Sequence, residues 1–265
     1  MAAEATAGDG GLDTFPKYLL LNARRFGDLP AMRHKDLGIW QSWTWAQQLE
    51  EIRRFALGLT SLGLREGDRV AIIGSNRPRL YWAVTAAQSL GAVPVPVYAD
   101  AVPDEMAYVL DHAGVRLAVV QDQEQVDKIL GQRHRIPRLE LVIYDEPRGL
   151  ADYKESMIRD FAEVQASGEA ALAADPTLAG RWEEGIRAGS AEAISVMLYT
   201  SGTTGRSKGV MIPAAGAVQA ARDTVAFDRL TERDSVLAYL PLASVGDHYI
   251  NYAQGMVAGF CVDCP

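Results

Sequence analysis

From Gly67 onward, short runs of apolar, β-branched residues alternate with stretches whose apolar positions recur every three or four residues. Arg69-Val-Ala-Ile-Ile-Gly74 is a continuous apolar run closed by a turn residue, the pattern of a buried strand. Over residues 78–90, Leu80, Ala83, Val84, Ala87 and Leu90 fall at helical spacing, and Gly91 closes the helix as a C-terminus favours. Residues 92–97 are extended, but Pro94 and Pro96 cannot donate to a ladder, which assigns them to an edge or irregular strand. Pro103 opens a second helix that runs to His112 and is closed by Gly114. Residues 117–120 then predict a strand, 124–130 a helix and 139–144 another strand. Repeated strand–helix–strand units predict an α/β fold with a largely parallel sheet covered by helices.

The flanks read differently. A helix is predicted over residues 15–26. Ala31-Met-Arg-His-Lys35 and Gln41-Ser-Trp-Thr-Trp45 form a hairpin around the turn-like Asp36-Leu-Gly38. Residues 47–62 are an amphipathic helix ended by Gly63, and Trp40, Trp43 and Trp45 read as core or hairpin packing. Residues 150–190 are rich in Ala, Glu and Arg and carry no strong strand pattern, so they read as a helical surface excursion from the sheet.

Composition narrows the class. A chain of 265 residues, 48% hydrophobic and 23% charged, excludes wholesale disorder, a collagen-like repeat and a small disulfide scaffold. The 26 Lys plus Arg against 34 Asp plus Glu give a net charge of −8, which offers no electrostatic reason for a nucleic-acid partner. Cys261 and Cys264 are the only cysteines; without further ligands of metal spacing they read as small apolar strand residues. Residues 1–12 have neither a basic start nor an apolar stretch and read as a flexible tail. No apolar run approaches the roughly 18 residues that span a bilayer, so a cytoplasmic protein is expected, with a peripheral membrane contact open if the substrate is a lipid.

The most informative stretch is Ile194-Ser-Val-Met-Leu-Tyr-Thr-Ser-Gly-Thr-Thr-Gly-Arg-Ser-Lys-Gly-Val-Met-Ile212. An apolar strand runs into Thr200-Ser-Gly-Thr-Thr-Gly205, then Lys208-Gly209, then a second apolar run. Glycines let the backbone approach an anion, hydroxyls and N–H groups cradle phosphate oxygens, and Lys208 adds a mobile positive charge. It is not a Walker A loop, because Ser207 stands where the second Gly is required, and it lacks the dinucleotide fingerprint.

This segment resembles the phosphate loop of the adenylate-forming family, which includes acyl-CoA synthetases, firefly luciferases and peptide-synthetase adenylation domains. The family's Tyr-Thr-Ser-Gly-Thr-Thr-Gly-x-x-Lys-Gly is matched at residues 199–205 and at Lys208-Gly209. The resemblance implies that Thr200, Ser201, Gly202, Thr203, Thr204, Gly205 and Lys208 bind the phosphates of ATP, with the Thr200 hydroxyl helping to hold Mg²⁺. Thr44-Trp45, Leu62-Gly-Leu-Arg-Glu-Gly-Asp-Arg-Val70, Ala86-Ala-Gln-Ser-Leu-Gly-Ala-Val-Pro-Val95 and Leu110-Asp-His-Ala-Gly114 are similar to the family's N-terminal pattern. Tyr239-Leu-Pro-Leu-Ala243 resembles the acyl-pocket segment of long-chain fatty acyl-CoA synthetases. Asp36-Leu-Gly-Ile-Trp40 and Val245-Gly-Asp-His-Tyr249 resemble their bacterial branch. The acyl-pocket candidates are therefore Tyr239, Leu240, Pro241, Ser244 and His248.

Two departures stand out. Pro213-Ala-Ala-Gly216 occupies the place where members often carry a His, and Ser244 stands where long-chain members place His or an aromatic, which opens the question of chain length. His248 has two readings: a polar residue at the acyl pocket or nucleotide, or a helix-start histidine satisfied by capping or by an ion pair with Asp247. His112 is expected near a helix end, where a cation is favoured.

The implied activity is ATP-dependent formation of an acyl-adenylate from a long-chain fatty acid, then of an acyl-CoA thioester, with coenzyme A as co-substrate. The family's adenine site, its Tyr-Gly-x-Thr-Glu segment, its ribose-binding Asp and its small C-terminal domain with the catalytic lysine have no counterpart before Pro265. Residues 13–265 are thus expected to be a partial N-terminal AMP-binding domain without full ligase activity alone, its catalytic residues unassigned. The alternatives are another carboxylate-adenylating ligase and a non-catalytic nucleotide-binding module.

Overall fold

The structure is a computed structural model that describes residues 11–200 and 205–265. At its centre, β3 (Arg69–Ile73), β4 (Val93–Val97), β5 (Val115–Val120), β6 (Leu141–Tyr144) and β7 (Ile158–Asp160) form a parallel sheet in the order β4-β3-β5-β6-β7. The proline-bearing β4 sits at the sheet edge, where missing donors cost no ladder bond. Successive residues of a strand face opposite ways, so β3 feeds two cores. Val70 and Ile72 pack with Leu80 and Trp82 of α3 (Pro78–Ser89), while Ala71 and Ile73 pack with residues of α4 (Pro103–Ala113) and α5 (Gln123–Gly131) such as Met106, Leu110 and Ile129. Helices cover both faces of the sheet, as the continuous apolar strands require.

Two further sheets flank this one. β1 (Pro30–Asp36) and β2 (Ile39–Thr44) form the predicted antiparallel hairpin and join β10 (Ser235–Leu237) and β11 (Cys261–Cys264) in the order β10-β11-β1-β2. β11 lies parallel to both β1 and β10, so the last strand is inserted between an early and a late segment. β8 (Ile194–Thr200) and β9 (Lys208–Pro213) form an antiparallel pair of their own.

The helices α1 (Phe15–Arg25) and α2 (Trp45–Ser61) agree with the periodicity, and α2 starts at Trp45 because Thr44 and Gln47 form a reciprocal capping box. Residues 150–190 depart from expectation. They hold β7 and the helices α6 (Phe161–Ala174) and α7 (Thr177–Ala188), and α6 is no surface excursion. Phe161 stacks on Phe55 with ring centroids 3.9 Å apart, and a Cβ on Gly168 or Gly58 would lie 1.9 Å from the Arg54 carbonyl or 2.1 Å from that of Val164. The two glycines let α2 and α6 touch backbone to backbone. Trp45 is buried with its indole N–H on the Gly259 carbonyl (3.0 Å), Trp43 meets Trp82 edge to face, and Trp40 remains half exposed on the hairpin.

Past α8 (Ala214–Asp228), the chain forms a helical turn α9 (Val245–Asp247), a π-helical turn (His248–Ala253) and α10 (Gln254–Ala258). Tyr252 of the π-helical turn donates to the Gln88 amide oxygen (2.6 Å), and the Gln88 amide donates to the Ser195 carbonyl (2.8 Å). These bonds tie the π-helical turn, α3 and β8 together through buried polar groups.

Candidate functional site

The β8–β9 ladder ends in the register pair Thr200–Lys208, so strand pairing alone brings two of the sequence-predicted residues side by side. Ser201, Gly202, Thr203 and Thr204 lie outside the described residues. Gly205 follows on the exposed side of the hairpin end. Side chains alternate along a strand, and here Tyr199 is buried while Thr200 is exposed. The Tyr199 hydroxyl is hydrogen bonded to His112 Nδ1 (2.7 Å), and burial, with Tyr108 nearby, pushes it up to about 12. On the second leg, Tyr108 Oη donates to the Ser207 carbonyl (3.1 Å), and the Arg206 guanidinium lies 5.1 Å from the Tyr108 ring centroid. His112 does sit in the last turn of α4, as expected, but its partner is Tyr199 near the end of β8.

A cavity of about 350 Å³ opens at this hairpin end, lined by Tyr199, Thr200 and Ser207 on one side and by Ala243 and Val245 on the other. A second, of about 600 Å³, lies at the carboxyl ends of β3, β4 and β5, between Ser75, Gln121 and Asp122 and residues 238–243. The chain leaves β3 toward β4 but leaves β5 toward β6, with α3 and α5 in opposite cores; this is the topological switch point where open α/β sheets bind ligands. Gln121 Oε1 accepts from the Ser75 N–H (2.6 Å) and hydroxyl (2.8 Å), fixing the two strand ends that make the crevice. Tyr98 and Ala243 border both cavities, so residues 238–245 form the wall between them.

The acyl-pocket candidates divide accordingly. Leu240 and Pro241 line the larger cavity, and Tyr239 stands at its rim, 73% exposed. The Ser244 hydroxyl accepts from the Asp247 N–H (3.0 Å) and caps α9, and Ser244 lines neither cavity. His248 lies behind the wall, buried against Phe15, Tyr249 and Tyr252. Neither capping nor an ion pair satisfies it. Asp247 turns to Tyr81 Oη (2.7 Å), Asn76 Nδ2 (2.8 Å) and Asn251 Nδ2 (2.6 Å), and His248 Nε2 has no hydrogen-bond partner. Nor does His248 start a helix, because the helical path begins at Val245. Burial lowers His248 to about 4 and raises Asp247 to about 6, the latter against three hydrogen bonds that pull it down.

Sequence reasoning missed Asn76. Its amide donates both to Asp247 and to the Leu240 carbonyl (2.8 Å), pinning the cavity wall onto the end of β3. Its only sequence signal was its place directly after a strand and the Gly74-Ser75 turn.

Cys261 and Cys264 are buried on β11, and burial pushes Cys261 up to about 12 and Cys264 higher still, so neither is a ready thiolate. Among the described residues, no cluster of three or more His, Cys, Asp or Glu could hold a metal ion. Among the described residues, Thr200 offers a neutral hydroxyl at the hairpin end. That suits Mg²⁺, which keeps waters and is commonly bound through substrate phosphates with few protein oxygens.

A parallel sheet with helices on both faces, a switch-point crevice and a Ser/Thr/Gly hairpin ending in Thr200 and Lys208 together define the N-terminal part of an adenylate-forming domain. The model of the AMP-binding enzyme family matches residues 20–265, and the chain belongs to that family. It is 31% identical over 249 residues to the human long-chain-fatty-acid–CoA ligase ACSBG2, covering 88% of this chain and 34% of the relative. It is 26% identical over 257 residues to the long-chain-fatty-acid–CoA ligase heimdall of Drosophila melanogaster, covering 94% and 37%. The chain thus spans about a third of the length of these relatives. Among solved structures, a putative long-chain-fatty-acid CoA ligase from Rhodopseudomonas palustris superposes with a TM-score of 0.75 at 22% identity, over 95% of this chain and 57% of that one. Acetoacetyl-CoA synthetase from Streptomyces lividans superposes with a TM-score of 0.77 at 19% identity, over 95% and 38%. These likenesses establish the fold.

Proposed function

We propose that this chain carries the triphosphate-binding part of an AMP-forming ligase that activates long-chain fatty acids. The observation that carries the reading is the Thr200–Lys208 register pair, whose Thr200 lines a cavity with Ala243 and Val245 on its far side. A fatty carboxylate oxygen attacks the α-phosphorus of ATP, the bond from that phosphorus to the bridging oxygen breaks, and pyrophosphate leaves. The sulfur of coenzyme A then attacks the acyl carbonyl, loses its proton and displaces AMP. Two anions meet in the first step, so the site must supply positive charge and oriented donors.

Lys208 serves the outer phosphates and the departing pyrophosphate as a point charge. The loop residues Ser201, Gly202, Thr203, Thr204 and Gly205 offer N–H groups and hydroxyls to the same oxygens. Thr200 would contribute its hydroxyl to Mg²⁺, which when bound neutralises phosphate charge. The crevice at the β3–β5 switch, walled by Leu240 and Pro241, is the candidate route for the acyl chain. Among the described residues no helix is long and apolar enough to cross a membrane. A cytoplasmic setting with a peripheral membrane contact fits a fatty-acid substrate, and the exposed Leu37, Ile39 and Trp40 at the hairpin tip support such a contact.

Two measurements test this. Lys208→Ala should weaken MgATP binding by about 1.5–3 kcal/mol, the worth of a charge-assisted contact, and unchanged affinity would count against the loop assignment. ATP–pyrophosphate exchange by the full-length protein should respond to long-chain fatty acids. Exchange supported only by aryl or amino acids would transfer the reading to another carboxylate-adenylating ligase, and nucleotide binding with no exchange at all would favour a non-catalytic module.

A further inference from the structure

We propose that Tyr108 and His112 of α4 are positioning residues for the phosphate loop, a role that rests on reading the loop as the triphosphate site. They stand four residues apart on one helix, so their side chains leave the same face. That face holds both legs of the loop. His112 bonds the Tyr199 hydroxyl on the incoming leg (2.7 Å), and Tyr108 donates to the Ser207 carbonyl on the outgoing leg (3.1 Å).

The register makes the placement specific. Tyr199 immediately precedes Thr200, and Ser207 immediately precedes Lys208. Each contact therefore falls one residue before a candidate phosphate or Mg²⁺ group. Because strand side chains alternate, holding Tyr199 down toward α4 sends Thr200 up, away from it. The ladder cannot do this alone: β8 and β9 form a two-stranded sheet whose last register pair is Thr200–Lys208, so pairing stops where the loop begins. Gly209, the register partner of Tyr199, belongs to the same device. A Cβ there would fall 3.1 Å from Tyr199 Cζ, in the way of the ring that reaches His112. The family's Lys-Gly pair thus has a local reason in this chain: Lys208 supplies charge, and Gly209 gives Tyr199 room. Arg206 over the Tyr108 ring adds a third contact on the same leg (5.1 Å).

The test uses this chain with MgATP, by equilibrium dialysis, alongside thermal melts. Tyr108→Phe deletes one hydroxyl and His112→Ala deletes the imidazole. Each is expected to weaken MgATP binding about three- to tenfold, the effect of one lost hydrogen bond, with little change in melting temperature. His112→Asn, whose amide nitrogen or oxygen takes the place of Nδ1, should recover most of the loss; a merely structural site would show no such rescue. Wild-type affinity in Tyr108→Phe and His112→Ala, with binding still lost in Lys208→Ala, would overturn the positioning role and leave the loop assignment standing. Unchanged binding in Lys208→Ala would instead overturn the loop assignment. Amide hydrogen exchange at residues 205–209 without nucleotide gives an independent answer: faster exchange in both α4 variants supports the clamp, and unchanged exchange refutes it.

Discussion

At the scale of single residues, the pair Asp247–His248 shows how burial sets charge. His248 is held at about 4 against an ordinary 6.5, so between those values the unfolded chain takes up a proton that the folded chain refuses. Its effect is a loss of stability as pH falls through that window. Asp247 works the other way. Held at about 6 against an ordinary 3.8, it keeps a proton in the folded state that the unfolded state releases, so its contribution is present at low pH and lost as pH rises from 3.8 to 6. The two oppose each other over nearly the same range. His248→Leu removes only the first, so the melting temperature of the variant relative to wild type should rise steadily as pH falls from 6.5 to 4.5. A difference that does not vary with pH would refute this. Sequence placed the two residues side by side, and their adjacency suggested an ion pair. Only the fold reveals that Asp247 faces Asn76, Tyr81 and Asn251, while the imidazole enters an aromatic pocket.

At the scale of elements, glycine and threonine carry information that propensity alone misreads. Gly58 and Gly168 sit inside helical windows, where a glycine costs roughly 1 kcal/mol relative to Ala and reads as a weakness. The crossing of α2 and α6 supplies the reason. Gly58→Ala would drive a Cβ to 2.1 Å from the Val164 carbonyl, and backbone cannot step aside as a flexible side chain can. We expect a destabilisation of about 1–3 kcal/mol or more, measured by urea unfolding, despite the better helix former. Stability equal to wild type would mean the helices do not approach this closely.

Thr44 teaches the converse lesson: the periodicity started this helix at residue 47, but the local Thr44-x-x-Gln47 capping box starts it at Trp45. Thr44→Ala should cost about 1 kcal/mol in the same assay, with Thr44→Ser near wild type. The strands β3 to β6 and helices α1 to α5 were legible because their periods are local. The three-residue β7 was not, since it exists only by pairing with β6. Nor was the packing of α6, which depends on a partner more than a hundred residues away.

At the scale of the whole molecule, stability is unevenly spread. β3 has a strand on each side and a packed core on each face, whereas β9 pairs only with β8 and exposes Val210 and Met211. Amide exchange should therefore be slowest in β3 and β5 and markedly faster in β9, the leg that carries Lys208. Equal protection would indicate that the hairpin is stabilised by more than its own ladder. The same unevenness is what the proposed triphosphate loop would need in order to admit and release its ligand.

By itself the sequence determined the α/β class, the alternation of strands and helices, the edge or irregular placement of β4 and the residue types of the loop. Each rests on a period of two or 3.6 residues, on a turn residue or on a contiguous motif, and all of these are written within a few positions. Tertiary structure alone decided what faces the loop. The strand order put the switch-point crevice between β3 and β5, the insertion of β11 beside β1 closed the second sheet, and α4 came to lie against both legs of the hairpin. Those juxtapositions join residues 46 to 230 positions apart. No local pattern encodes them, because the free energy that selects them is apolar burial summed over the whole chain.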